Sequence, residues 1–147
     1  MEYSYTFKLS RKSGKNSTLA KGNQMISAND RMHFAPKMKI TKFLRDLAHE
    51  IVTNDLHLST CVFSPDRPCL ITIIIAPPSN RRMDPPNWYP TVKALIDGMT
   101  DAKLWTDDNH EILRAMTFIY GTKTNDKLYH ITIKIKDVDD DTGNNGI

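Results

Sequence analysis

Cys69-Leu70-Ile71-Thr72-Ile73-Ile74-Ile75-Ala76 is the stretch on which the fold turns. It is β-branched and almost continuously apolar, the pattern of a central strand covered on both faces. Pro77-Pro78-Ser79-Asn80 ends it. Toward the N-terminus, Met38–Val52 repeats Ile40, Phe43, Leu44, Leu47, Ala48, Ile51 and Val52 at three- and four-residue spacing. That spacing predicts an amphipathic helix, with Lys39, Lys42, Arg45 and His49 on its other face. Tyr3–Leu9 alternates Tyr3, Tyr5, Phe7 and Leu9 against Ser4, Thr6 and Lys8, as a half-buried strand does. Between these elements Arg11–Asn29 is rich in Ser, Gly, Lys and Asn, and residues 10–29 read as a mobile basic loop. A compact domain rarely keeps so long a loop unless it binds something.

Toward the C-terminus a second helix runs from about Pro90 to Asp101, with Val92, Leu95, Ile96 and Met99 as its apolar stripe. Proline in the first turn, preceded by Asn87, fits a helix start. Ile112–Tyr120 and Leu128–Ile135 are β-rich, and the second alternates Tyr129, Ile131, Ile133 and Ile135 inward against His130, Thr132 and Lys134. Gly121–Asp126 between them reads as a hairpin loop. The order β-α-β-α-β-β, without repeats, predicts one α+β domain over residues 1–136, a mixed β-sheet with helices packed on it. Residues 137–147 are expected to be an acidic, disordered tail.

The 147 residues suffice for one core, and 39% hydrophobic with 25% charged residues is ordinary for a soluble globular chain. No apolar run is long enough for a bilayer span, and Met1-Glu2-Tyr3-Ser4 lacks the basic-then-apolar layout of a secretory signal. A cytoplasmic protein without a membrane partner is the expectation. Cys61 and Cys69 have no zinc-spaced companions and read as free thiols in a reducing compartment. The net charge of +3 hides an asymmetry: ten Lys/Arg and one acid, Asp30, lie between Lys8 and Arg45. Such a surface suits a polyanion through counterion release, although basic helix faces are often merely solvated.

The chemistry concentrates in Arg81–Glu111. Asp84 follows the central strand, and strand ends feeding loops hold catalytic groups rigidly. Asp107 and Asp108 precede the next strand; if that strand lies beside the central one, several carboxylates can converge with Asp84. Clustered carboxylates need a neutralising cation, and hard oxygens suit Mg²⁺ or Mn²⁺. Such a cation polarises a phosphodiester and activates water. Arg81 and Arg82 can supply bidentate phosphate contacts, and Lys93 can face the phosphate. The same residues have plainer readings. Asp84 can be a turn residue before Pro85-Pro86, Asp108 and Glu111 a capping box, Lys93 and Asp97 a surface ion pair, and the arginines partners of nearby acids.

The run Asp84-Pro85-Pro86-Asn87-Trp88-Tyr89-Pro90-Thr91-Val92-Lys93-Ala94-Leu95-Ile96-Asp97-Gly98, followed by Trp105 and Asp107-Asp108, resembles the RusA family of Holliday junction resolvases (crossover junction endodeoxyribonucleases). The likeness is strongest to a branch common in phage and actinobacterial genomes. Asn29-Asp30-Arg31-Met32-His33 resembles the family's Asn-x-Arg stretch. The resemblance implies a RusA-like fold and a homodimer that binds four-way DNA junctions and nicks paired strands with Mg²⁺ or Mn²⁺. It places the activity in recombination and repair, in a bacterial or phage-infected cell. It assigns Asp84 and Asp108 to the metal, Asp107 or Asp97 to its completion, and Lys93 to the developing charge. Arg31, Lys39, Lys42, Arg45, Arg81, Arg82 and Asn87 are the DNA-contacting residues on this reading. The family's second aspartate is replaced here by Pro86, which cannot bind metal, and three extra residues separate Asn87 from Lys93. Asp97, Asp107 or Asn87 then takes the missing place, or the metal is held more weakly. Alternative readings are a junction-binding protein without nuclease activity, a nuclease preferring flaps, and a protein-interaction domain whose acidic loops are turns and caps.

Overall fold

Strands β1 (Glu2–Leu9), β2 (Cys69–Ala76), β3 (Leu113–Tyr120) and β4 (Tyr129–Asp137) form one sheet in the spatial order β1-β4-β2-β3. Helix α1 (Phe34–Leu56) joins β1 to β2, and α2 (Tyr89–Asp101) joins β2 to the parallel β3. β4 runs antiparallel to both its neighbours. The chain is thus a single small α+β domain with a mixed four-stranded sheet and two helices. The structure is a computed structural model describing residues 2–12, 22–31, 34–57 and 59–138. The centre of the loop predicted to be mobile, 13–21, and the tail beyond 138 lie outside the described residues.

The strand register explains where the core sits. Tyr5, Ile133, Ile73 and Phe118 are cross-strand neighbours on one face, as are Phe7, Ile131 and Ile75. The helices cover this face with Ile40, Leu44, Ala48 and Val52 from α1 and Val92, Leu95, Ile96 and Met99 from α2. The other face is open: the Thr6 and Thr132 hydroxyls share a 2.9 Å hydrogen bond in solvent. β2 therefore departs from the expected burial on both faces, since its alternate residues are only half-buried. A run of isoleucines reads as doubly covered, yet in a two-layer domain only one of its faces meets helices.

The predicted hairpin is not formed. β3 and β4 do not pair, because β2 lies between them. Residues 121–128 instead cross the end of β2, where the Gly121 N–H donates to the Ile75 carbonyl (2.8 Å) and the Thr124 N–H to the Pro77 carbonyl (2.9 Å). A Cβ on Gly121 would come to 3.0 Å from the side chains of Ala76 and Ile74, so the crossing is as tight as a side-chain-free residue allows. β4 takes the central position because Ile131, Ile133 and Ile135 are fully buried.

Helix α1 extends beyond both predicted ends; Pro36 falls in its first turn, where a missing N–H costs no helix bond. Phe43, expected in the core, is 41% exposed, because the buried stripe of α1 repeats strictly every four residues. The strand predicted to stop at Ile135 continues to Asp137, whose carboxylate accepts from Arg67 at 3.0 Å. Asp137 therefore belongs to the sheet and not to a tail.

Residues 22–29 also depart from the mobile-loop reading. Met25 and Ile26 are in the core, at 0% and 3% exposure. The Ile26 N–H donates to the Thr91 hydroxyl and that hydroxyl donates to the Ile26 carbonyl, both at 2.8 Å, while the Ala28 N–H reaches the Asn87 carbonyl at 2.7 Å. Asp30 accepts two bonds from Arg11 (2.8 and 2.6 Å). The segment is thereby clamped along the first turn of α2. Thr91→Val keeps the shape but strands two buried backbone groups, so it is expected to destabilise the protein by about 1–3 kcal/mol in urea unfolding. A change within a few tenths of a kcal/mol would show that this clamp contributes nothing.

Candidate functional site

Helix α2 buries Thr91, Val92, Ala94, Leu95, Ile96, Gly98 and Met99, which leaves Lys93 and Asp97 on its outer face, one turn apart. Lys93 Nζ donates to Asp97 Oδ1 at 2.7 Å and also, more closely, to Asp108 Oδ2. The partner from outside the helix arrives through a well-anchored loop. Trp105 is fully buried, and its Nε1–H donates to the Thr100 hydroxyl (2.6 Å), which itself donates to the Ile96 carbonyl (3.1 Å). Lys103, at φ 68, turns the chain out of α2 so that Leu104 N–H can return to the Met99 carbonyl (3.1 Å). Asp108 is thus held against α2 by the core beneath it.

The neighbouring acids are engaged elsewhere. Asp107 accepts from the Asp108 N–H (2.7 Å) and from Asn109 Nδ2 (3.2 Å). The capping box is absent: the Glu111 N–H is taken by Asn109 Oδ1 at 3.0 Å, while the carboxylate of Asp108 goes to Lys93. Burial pushes the Asp108 carboxyl up, but the hydrogen bond and charge of Lys93 outweigh it and hold the group below the usual carboxylate range. Burial likewise pulls the Lys93 ammonium down, and its bonds to Asp108 and Asp97 more than reverse this. Lys93 thus sits as a cation between two carboxylates that favour its charged form.

These shifts have a definite sign in stability. The share carried by Asp108 is complete above the ordinary carboxylate range and is lost as pH falls through its lowered value; the share of Lys93 is complete below the ordinary lysine range and is lost only above it. In EDTA, the stability gap between wild type and Asp108→Asn is expected to be open at about pH 7 and to close at about pH 2. Urea unfolding at the two pH values measures it, and a gap independent of pH would contradict the assignment.

Asp84 lies apart from this cluster. It precedes the 3₁₀ turn Pro85–Trp88, its side chain caps nothing, and its carbonyl accepts the Asn87 N–H at 3.0 Å. Between Asp84 and Lys93 stand that turn and the first turn of α2, on the order of 10 Å of helix axis. Asp84 instead lines a cleft of about 380 Å³ at the N-terminal end of α2, with Arg81, Arg82, Asn87, Trp88 and Tyr129. Ser27, Pro77, Ser79 and Met83 complete its wall. Trp88 and Tyr129 were not singled out from the sequence; their ring contact (5.1 Å between centroids) joins the 3₁₀ turn to the start of β4, and no local spacing signals such a pair.

The basic residues divide into two sets. Arg45 is bound to Asp101 (2.5 and 2.8 Å) and Lys42 to Asp46 (2.6 Å). The side chains of Arg31, Lys39 and Arg82 have no hydrogen bond or ion pair with any described residue, and Arg81 is near enough to Tyr129 to act on its phenol. Among the described residues, Arg81 and Arg82 do not pair with neighbouring acids.

Among the described residues no three His, Cys, Asp or Glu side chains come together as a metal-holding group. Two do converge on one positive charge, Asp97 and Asp108, and Mg²⁺ is commonly held by one or two carboxylates with waters and substrate phosphates completing the shell. The two carboxylates offer hard oxygens of the kind such a cation takes, and here both are bonded to the Lys93 ammonium. Both thiols are unpaired, Cys61 half-buried and Cys69 buried, and burial pushes Cys69 up to about 12. No helix among the described residues is long and apolar enough to cross a membrane. Compared with protein-family models and with curated proteins, the chain matches none of them.

Proposed function

We propose that this chain is a RusA-like, Mg²⁺- or Mn²⁺-dependent endodeoxyribonuclease that acts as a homodimer on four-way or related branched DNA in the cytoplasm. The observation that carries the reading is the convergence of Asp97, from α2, and Asp108, from the loop before β3, on the Lys93 ammonium. An acid from the loop before β3 meeting an acid and a lysine of α2, with two arginines left for an anion in the separate cleft at the N-terminal end of that helix, suits phosphodiester hydrolysis.

A divalent cation bound there supplies charge neutralisation at the phosphate and an activated water. Asp97 and Asp108 would hold it. Lys93, whose bonds to the two acids favour its charged form, would stabilise charge growing on the phosphate oxygens. Arg81, Arg82, Arg31 and Lys39 grip backbone phosphates, with no need to read bases. Arg45 and Lys42 are already neutralised by acids and contribute less than charge counting implies.

The test is incubation of the purified protein with an end-labelled four-way junction. Paired nicks are expected with Mg²⁺ and none in EDTA. A second reading, junction binding without cutting, is favoured by the lack of a third carboxylate in the cluster among the described residues. Retarded junctions with intact strands, at every Mg²⁺ and Mn²⁺ concentration, would select it.

A further inference from the structure

We infer that the cleft at the N-terminal end of α2 is a subsite for one unpaired nucleotide of a DNA strand. The inference rests on the branched-DNA reading above and names the part of the branch that is held. The cleft, about 380 Å³, lies in the size range of small-ligand sites. Arg81, Arg82 and Asp84 line it, and the side chains of Arg82 and Asp84 make no hydrogen bond or ion pair with a described residue. Two guanidinium groups against one carboxylate leave the cleft positive, and a guanidinium fork fits a phosphate bidentately.

The remaining lining suits a base. Trp88 is held rigid by Arg11, 5.2 Å above its ring, and by Tyr129 at a 58° tilt, so this wall is preformed and apolar. Asn87 and Asp84 offer the donor and acceptors that a Watson–Crick edge needs. A paired base has that edge occupied and its faces stacked. An unpaired base at a branch point loses little by leaving the stack, and aromatic walls with cationic rims hold such bases.

The structure also supplies a reporter. Trp88 and Trp105 are the chain's only tryptophans, and Trp105 is fully buried under the Asp108 loop, outside the cleft. Titrating the protein in EDTA with a 5′-phosphorylated thymidine dinucleotide is expected to give a saturable change in tryptophan fluorescence. Affinity should fall at least tenfold in R81A/R82A, two exposed positions, and stay unchanged in Lys8→Ala, which removes a surface charge on β1. Inorganic phosphate at the same concentrations should leave the signal unaltered. No saturable change, equal affinity in R81A/R82A, or full reproduction by phosphate overturns the inference. In Mg²⁺, a junction with one unpaired thymidine at its crossover should be nicked several-fold faster than a fully paired one; equal or slower nicking also overturns it. The two readings fail separately. Nicking without dinucleotide binding removes the subsite alone, and dinucleotide binding without nicking removes the nuclease alone.

Discussion

Asp108→Asn is expected to lower junction nicking on the order of 10²-fold or more while leaving junction affinity nearly intact. Asparagine keeps the shape and one acceptor oxygen but removes the charge that, on the proposed reading, would draw a divalent cation to α2. The arginines and Lys39, which carry the phosphate contacts on the proposed reading, are untouched, so binding at a fixed salt concentration should stay within a few-fold. Lys93→Met is the informative companion. In the free protein the ammonium lies between Asp97 and Asp108, where it competes with any other cation. Without it the two carboxylates repel each other and are expected to bind Mn²⁺ more tightly by calorimetry, although nicking still slows. If Asp108→Asn cuts within threefold of wild type, the cluster is only a structural ion pair.

Gly98→Ala is expected to destabilise the domain by roughly 3 kcal/mol, although alanine is the better helix former by about 1 kcal/mol. A Cβ built on Gly98 comes to 2.1 Å from the Arg45 carbonyl oxygen and 2.8 Å from Ala48 Cβ. The obstacle is backbone, not the movable end of a side chain, so α1 and α2 must separate. Gly98 adjoins Asp97, and Arg45 pairs with Asp101 from the next helix across, so the separation should disturb the acidic face as well as the core. Urea unfolding measures the loss; unchanged or raised stability would mean that the helices yield at this crossing without cost.

Gly98 also shows how sequence and structure divide the information. The Lys93-Ala94-Leu95-Ile96-Asp97-Gly98 run is readable as a helix with Lys93 and Asp97 on one face, and that pair is present at 2.7 Å. Its glycine carries no meaning until α1 lies against it. Asp108 is similar: three residues before Glu111 it imitates a cap, and only the buried Trp105 beside it brings its carboxylate to Lys93 instead. Asp84 illustrates the reverse. Its proximity to the other acids in sequence implied convergence, yet parallel β2 and β3 put the end of one strand and the start of the next at opposite ends of the sheet.

Periodicity was sufficient for the elements themselves. The isoleucines of β4 and the stripe Val92-Leu95-Ile96-Met99 follow from spacings of two and about 3.6 residues, and β2 from its continuous β-branched run, signals that each segment carries alone. Tertiary structure decided that β4 sits between β1 and β2, that Met25 and Ile26 enter the core, and that the cleft and the Lys93 cluster are distinct. These outcomes depend on how all the apolar faces are buried at once. A residue's neighbours along the chain do not encode that joint solution.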